Sequence, residues 1–174
     1  LTGPGSSNIL MWYHHNDFAP DTVVQADYRV SGLTEPATIL LRDVNGESED
    51  IYIGTNGKPY YTRKLYGVYN KKYEIGSTNC KENWVNIALA FHFDSRTYDV
   101  YINGKKEATG INFLSDSFTS DMYHVRFILD TEESSSAQLD IDNVYIYKSD
   151  TYYPADRIEG PGGGILEADE NWEH

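Results

Sequence analysis

The sequence predicts an all-β protein built as a two-sheet antiparallel sandwich. Two alternating runs, 84–93 and 98–102, flank the polar turn 94–97, and the second run ends on Asn103-Gly104, a dipeptide that readily adopts positive φ. The composition agrees, because 15 Tyr and 6 Phe against 2 Met suit pleated, half-buried surfaces better than helices. No segment shows a convincing helical period.

The first half of the chain contributes four predicted strands. Residues 9–13 contain the apolar run Ile-Leu-Met-Trp, and residues 22–30 alternate, with apolar side chains at the even positions from 24 onward. Residues 37–42 and 51–54 are short runs bounded by Gly, Pro, Asn and Asp, which form turns.

The second half contributes four more strands. The hairpin formed by 84–93 and 98–102 is followed by 123–129, where apolar and polar side chains alternate, and 137–147 closes the domain. With roughly ten short strands in one domain, a jelly roll is favoured over an immunoglobulin-type sandwich.

The 174 residues suit one compact domain, which we place at 7–154. Residues 1–6 have the composition of a linker remnant. Residues 155–174 are first Gly-rich and then acidic, as in a linker or tail. The chain is therefore expected to be a piece of a longer protein.

The charge balance argues against two classes of partner. With 27 acidic and 14 basic residues the net charge is −13, which repels a nucleic-acid backbone or an anionic membrane surface. No nucleic acid and no membrane are expected as partners. The single Cys80 cannot form an internal disulfide and lacks zinc or redox spacing, so it is predicted to be a reduced side chain in a polar loop.

Three strings of sequence carry a family resemblance. They are Trp84-Val85-Asn86-Ile87-Ala88-Leu89, Tyr98-Asp99-Val100-Tyr101-Ile102-Asn103-Gly104-Lys105 and Leu139-Asp140-Ile141-Asp142-Asn143-Val144-Tyr145-Ile146-Tyr147. Over about residues 22–147 the chain resembles the concanavalin A-like lectin/glucanase superfamily, which includes the laminin-G-like jelly rolls. In that superfamily a tryptophan opens a strand, a hairpin ends in Asn-Gly, and a strand with Asp-Asn closes the domain.

The resemblance implies a jelly roll that often serves as a carbohydrate-binding module of a secreted bacterial polysaccharide-degrading enzyme. We therefore expect a secreted or extracellular, noncatalytic module that binds a polysaccharide. Its expected covalent partner is a glycoside hydrolase or lyase domain. A structural or adhesive spacer of a surface protein is a further alternative.

Catalytic motifs of the superfamily are not found in the sequence. Its retaining glucanases carry Glu-x-Asp-x-x-Glu on one strand, so that two carboxylates flank one glycosidic bond, and nothing here matches. Its alginate-type lyases use Arg, Gln or Asn, His and Tyr on the concave sheet; those residue types are present, but the strings around them are not. No catalytic residue is predicted, and a lyase or hydrolase of the same fold is the alternative.

Outward-facing polar side chains on several strands predict a groove for sugar hydroxyls. The candidates are Gln25, Arg29, Asn86, His92, Tyr101, His124 and Arg126. They form a groove if their faces belong to one sheet. Otherwise they are ordinary solvated faces scattered over both sheets.

The stretch 58–73 is rich in both cations and tyrosines, in a chain that is otherwise acidic. Cations interleaved with aromatic rings suit an anionic polysaccharide. The candidate contacts are Tyr60, Tyr61, Arg63, Lys64, Tyr66 and Tyr69. The alternative is a long hairpin whose tyrosines cover the sandwich edge and whose lysines keep that edge soluble.

Asp140 and Asp142 on the closing strand are candidate metal ligands. Asp142 falls on the same face as Val144 and Ile146, so an internal position would require a partner for its carboxylate. Related jelly rolls often provide a structural Ca²⁺, and the loop acids Asp130, Glu132 and Glu133 could add ligands. A hydrogen bond to backbone amides or an Arg pair is the alternative.

Overall fold

The computed structural model describes residues 7–12, 21–65, 69–120, 122–129 and 136–148, and within them it contains eleven strands and no helix. The strands are β1 (Ser7–Trp12), β2 (Asp21–Ser31), β3 (Ala37–Asp43), β4 (Ser48–Ile53), β5 (Pro59–Leu65), β6 (Tyr69–Glu74), β7 (Val85–His92), β8 (Thr97–Ile102), β9 (Lys105–Asn112), β10 (Met122–Leu129) and β11 (Gln138–Lys148). The predicted all-β class is confirmed.

The strands form two antiparallel sheets that pack face to face. One sheet has six strands in the order β1-β10-β3-β4-β5-β6, and the other has five in the order β11-β2-β7-β8-β9. Alternate residues of both sheets meet in one apolar core, where the ring centroids of Tyr28 and Phe127 lie 6.0 Å apart. Each sheet therefore keeps one outer face on which polar side chains can serve a ligand.

Three strands, β5, β6 and β9, were not predicted. β9 (KKEATGIN) lacks an alternating pattern because most of it is exposed, and the Asn103-Gly104 turn, with φ of 49° and 79°, places it beside β8. β5 and β6 form an antiparallel hairpin at the edge of the six-stranded sheet. The edge-hairpin alternative for 58–73 is thus confirmed as a description of the backbone.

A β-bulge in β11 overturns the expected orientation of Asp142. The register shifts between Asp142 and Tyr145, and Asn143 takes a positive φ of 49°. Asp142 is therefore exposed on the outer face, whereas Ile146 on the far side of the bulge is buried in the core. The prediction that the two side chains share a face is wrong, because alternation does not continue through a bulge.

Cys80 is a free thiol in a loop, as predicted, but it is fully buried. Its amide donates to the carbonyl of Gly57 at 2.8 Å and its carbonyl accepts from Val30 at 3.0 Å, which ties the loop to both sheets. Burial raises the pKa of the thiol to about 12. The polar loop therefore turns a small apolar side chain inward.

We expect Cys80 to react with a soluble aromatic disulfide at pH 8 roughly 100-fold more slowly in the native protein than in denaturant, since the reacting thiolate is both scarce and inaccessible. The release of the coloured thiol from the reagent measures both rates. Stoichiometric reaction of the native protein within the mixing time would contradict the buried position.

Candidate functional site

The seven predicted groove residues lie on opposite outer faces of the sandwich. The five-stranded sheet carries Gln25, Arg29, Asn86, His92 and Tyr101, and the six-stranded sheet carries His124 and Arg126. One shared groove is therefore not formed. Alternation within a strand distinguishes inside from outside, but it does not say to which sheet the strand belongs.

The outer face of the six-stranded sheet contains a pocket of about 260 Å³. Its lining residues are Pro36, Tyr52, Gly54, Thr55, Asn56, Tyr60 and Lys72. We call it the Tyr52 pocket. Tyr52 on β4 and Tyr60 on β5 are direct cross-strand partners, so their half-buried rings stand side by side.

Polar atoms surround the two rings. The Tyr52 hydroxyl donates to Asp50 Oδ2 at 3.1 Å, and Asn56 Nδ2 donates to the Tyr60 hydroxyl at 2.8 Å. Burial raises the pKa of Asp50, and burial followed by the Asp50 charge raises the pKa of Tyr52 to about 12. Tyr52 therefore keeps its proton and its hydrogen-bonding capacity throughout the neutral range.

Lys72 brings a positive charge to the pocket. Its Nζ lies 4.3 Å from the centroid of the Tyr52 ring, a cation–π geometry. The neighbouring Lys58 pairs with Glu74, whereas no carboxylate among the described residues forms an ion pair with Lys72. The pocket thus combines two rings, amide and hydroxyl groups and one cation.

Strand alternation separates the other predicted contacts of 58–73 from this pocket. Tyr61 lies on the inner face of β5, where its ring stacks on Tyr73 at 5.2 Å and packs against the core. Arg63 covers both rings, at 5.5 Å and 5.8 Å. Tyr66 and the side chains of Lys64 and Tyr69 lie outside the described residues. Of the predicted contacts whose side chains the structure describes, Tyr60 is the one that lines the pocket.

Tyr52, Asn56 and Lys72 were missed as candidate contacts. The signal for Tyr52 was present, because it occupies the outward position between Ile51 and Ile53 in a run that was itself predicted as a strand. Asn56 lies in the β4–β5 turn, and only the cross-strand register brings it to the Tyr60 hydroxyl.

The predicted residues of the five-stranded sheet are largely engaged by neighbouring side chains of the same face. Gln25 is fully buried, and its Oε1 accepts from the Tyr147 hydroxyl at 3.4 Å. His92 Nδ1 lies 2.7 Å from Asp21, and its Nε2 lies 3.7 Å from Asp99. Tyr101 packs against a cluster of buried apolar side chains on this face. Gln25 is thus withdrawn from direct contact with a ligand.

Asp99 collects most of the polar contacts at this end of the sheet. Partial burial raises the pKa of its carboxyl, but hydrogen bonds from Lys106 (2.6 Å), the Gly110 amide (2.8 Å) and the Thr109 hydroxyl (2.8 Å) outweigh that effect and leave the pKa lowered. The carboxylate is therefore ionised and internally compensated.

His124 and Arg126 lie on β10, two strands away from β4. His124 is 6% exposed, and burial, followed by the charges of Arg42 and Arg126, lowers its pKa. The imidazole is therefore neutral at pH 7.

Asp140, one of the two predicted calcium ligands, is paired with an arginine. Asp140 Oδ2 accepts from Arg29 Nε at 2.8 Å, and its Oδ1 accepts from Gln138 at 2.6 Å, so an Arg pair satisfies this carboxylate. No group of three His, Cys, Asp or Glu within the described ranges could hold a metal ion. The loop acids at 130, 132 and 133 lie outside those ranges.

Comparison with known proteins assigns the fold. No protein-family model and no curated protein matches the sequence. A sialidase superposes with a TM-score of 0.66 at 12% identity, over 86% of this chain and 15% of the sialidase. A galectin from the sponge Cinachyrella gives 0.54 at 8% identity (81% and 99%), and an alginate lyase gives 0.52 at 10% (76% and 63%).

These structures are concanavalin A-like jelly-roll sandwiches, so the predicted fold is confirmed. The chain spans 15% of the length of the sialidase, and the low identities show the fold alone. The described part of the chain also holds no helix long and apolar enough to cross a bilayer.

Proposed function

We propose that this chain is a noncatalytic carbohydrate-binding module that holds a polysaccharide in the Tyr52 pocket. The observation that carries the proposal is the cross-strand pair of Tyr52 and Tyr60 in a pocket rimmed by polar groups. Tyrosine rings offer apolar faces to sugar C–H groups, and the surrounding amides and hydroxyls can bind sugar hydroxyls. Neighbours in fold include a sialidase, a galectin and an alginate lyase, which supports a sugar as the ligand.

The size of the pocket favours a short segment of a longer chain. Its volume of about 260 Å³ lies just below the ~300–1,000 Å³ usual for small-molecule sites. Each repeating unit of a polymer can occupy this small pocket, so a polysaccharide offers many equivalent binding positions. This suits a module that keeps an attached enzyme near its substrate by raising the effective concentration. The secreted location and the linked catalytic domain belong to the same proposal.

The sugar we propose is acidic. Lys72 supplies a cation without a described carboxylate partner, and a uronate carboxylate or a sulfate would satisfy it by a charge-assisted hydrogen bond. The net charge of −13 opposes a polyanion at long range, so a local cation is what such a ligand requires.

The noncatalytic assignment rests on the chemistry of the lining. The described residues that line the Tyr52 pocket include no carboxylate, histidine or cysteine; Asp50 and Glu74 contact it only as acceptors of the Tyr52 (3.1 Å) and Tyr60 (3.4 Å) hydroxyls. Glycoside hydrolysis by the common mechanism needs two carboxylates that flank the scissile bond. A lyase or hydrolase of the same fold is the competing function, and it would release new reducing ends or unsaturated products from the polysaccharide.

Affinity electrophoresis through gels that contain alginate tests the proposal. We expect Lys72→Met to weaken retardation about fivefold to tenfold, since a charge-assisted contact contributes roughly 1–1.5 kcal/mol. Lys71→Met is the matched control, because Lys71 precedes Lys72 on β6 and also covers a tyrosine, Tyr73 at 5.1 Å, but on the opposite face. Tyr60→Ala should weaken binding as well.

Three results would contradict the proposal. Equal retardation of Lys71→Met and Lys72→Met would show that Lys72 does not bind an acidic sugar. Unchanged retardation of Tyr60→Ala would show that the Tyr52 pocket is not the binding site. Product formation by the wild-type chain would favour the enzyme.

A further inference from the structure

Trp84 is an exposed aromatic side chain on the side of the sandwich opposite the Tyr52 pocket. It immediately precedes β7 and is 46% exposed, while the apolar residues of β7 itself are buried. Val44, at 52%, is the other large apolar side chain that the described residues expose. An indole exposed to water at the start of a central strand contributes little to the stability of the fold. Such an exposed aromatic surface is typical of a binding site.

Neighbouring charges hold the indole in place. The Arg29 guanidinium carbon lies 4.8 Å from the centroid of the Trp84 ring, and Arg29 Nε and Nη2 both lie 2.8 Å from Asp140 Oδ2. Gln138 fixes the other Asp140 oxygen at 2.6 Å. Arg29 therefore covers one face of the ring in a fixed geometry and leaves the indole a rigid surface toward solvent.

A hydrogen-bonded row of amide and carboxylate side chains lies on the same outer face, and it includes Asn86, two residues after Trp84. We call Asp27, Asn86, Asn103 and Asn143 the Asn ladder. Asp27 accepts from Asn86 Nδ2 at 2.8 Å and from Asn143 Nδ2 at 2.7 Å, and Asn103 Oδ1 accepts from the backbone N–H of Asn86 at 2.9 Å. Asp27 is two residues from Arg29 on β2, a spacing of roughly 6.6 Å along a strand, comparable to the width of one sugar ring.

We propose that Trp84 and the Asn ladder form a second carbohydrate-binding site, whose ligand is an uncharged pyranose. The C–H face of the sugar packs on the indole, and its hydroxyls reach the amide and carboxylate groups of the ladder. The Arg29 charge is compensated by Asp140, and Asp27 adds a negative charge, so this site disfavours an acidic sugar.

The site extends beyond the function proposed for the Tyr52 pocket. The two sites lie on the outer faces of different sheets, so one polymer segment cannot fill both at once. A chain with one acidic-sugar site and one neutral-sugar site can bridge two polysaccharides. Neither site depends on the other for its geometry.

Affinity gels with the full chain test the second site, with galactomannan and hydroxyethyl cellulose as neutral probes. We expect at least one of them to retard the wild type, and Trp84→Ala to weaken that retardation at least tenfold. Trp84→Tyr should stay within about threefold, because a flat ring is retained. Lys72→Met should bind the neutral polymer like the wild type, and Trp84→Ala should bind alginate like the wild type, so the two sites can fail separately.

Nuclear magnetic resonance on the wild type provides a readout that does not depend on the folding of a variant. A soluble oligosaccharide of the retarding polymer should shift the indole N–H signal of Trp84, which Trp84→Tyr identifies by its loss. The proposal is overturned if no neutral polymer retards the wild type, if Trp84→Ala is retarded equally, or if the indole signal does not move.

Discussion

Replacing Glu49 with Gln is expected to stabilise the fold at pH 8 by about 3 kcal/mol and to change it little at pH 4.5. Glu49 is 2% exposed on the inner side of β4. One oxygen accepts from the backbone amides of Leu114 (2.5 Å) and Ser115 (3.3 Å), and the other has no hydrogen-bond partner among the described residues. Burial raises the pKa to about 8, although the two amides act in the opposite direction.

The sign of the pH dependence follows from this raised pKa. Between the ordinary value of 4.5 and about 8, the native protein keeps the proton of Glu49 while the unfolded chain releases it. The contribution of this group is therefore fully present below pH 4.5, and stability falls as the pH rises toward 8. A Gln side chain resembles the protonated acid in shape and charge, so the variant should not lose this contribution. Burial also raises the pKa of Asp50, which leaves a smaller slope of the same sign.

Urea denaturation at pH 4.5, 6 and 8 measures the effect. Glu47→Gln is the matched control, since Glu47 lies in the turn before β4 and loses the same formal charge when substituted. Its curves should follow the wild type at each pH. A Glu49→Gln variant that is less stable than the wild type at pH 8 would show that the native carboxylate is ionised and favourable.

Most strands could be predicted because alternation and turn residues are local properties. The pattern in β2 and the β7–β8 hairpin identified both the elements and their buried faces. β9 was not predicted because backbone pairing, rather than an apolar face, attaches it to β8. The bulge at Asn143 was not predicted because its positive φ depends on the pairing of β11 with β2 and not on the dipeptide Asp-Asn.

The candidate site was harder to predict than the fold. Tyr60 was found from the composition of its segment, but its partners Tyr52 and Lys72 come from two other strands. Sheet order decides which outer faces coincide, and that order depends on long-range pairings such as β10 with β3. The same limit explains why Arg29 and Arg126, both correctly placed facing outward, lie on opposite sides of the sandwich.

Phe91→Ala is expected to lower the free energy of unfolding by about 4 kcal/mol, a large part of the stability of a domain of this size. Phe91 is fully buried. Its ring centroid lies 5.4 Å from Tyr98, 6.0 Å from Phe113 and 6.3 Å from Phe118. Truncation removes the shared neighbour of these rings and leaves a cavity that the two rigid sheets cannot close. Phe91→Leu, which keeps most of the volume, should cost only about 1.5 kcal/mol.

The rings around Phe91, which are Tyr98, Phe113 and Phe118, lie next to the loop that holds Glu49. The two substitutions can therefore be tested together. Phe113 and Phe118 bracket Leu114 and Ser115, whose amides hold the buried carboxyl. Loosening that loop through Phe91→Ala should let water reach Glu49 and lower its pKa toward the ordinary value. The gain from Glu49→Gln at pH 8 should therefore shrink by about half when Phe91→Ala is also present, which a double-mutant cycle in urea measures. Strict additivity would show that the cluster and the carboxyl are energetically independent.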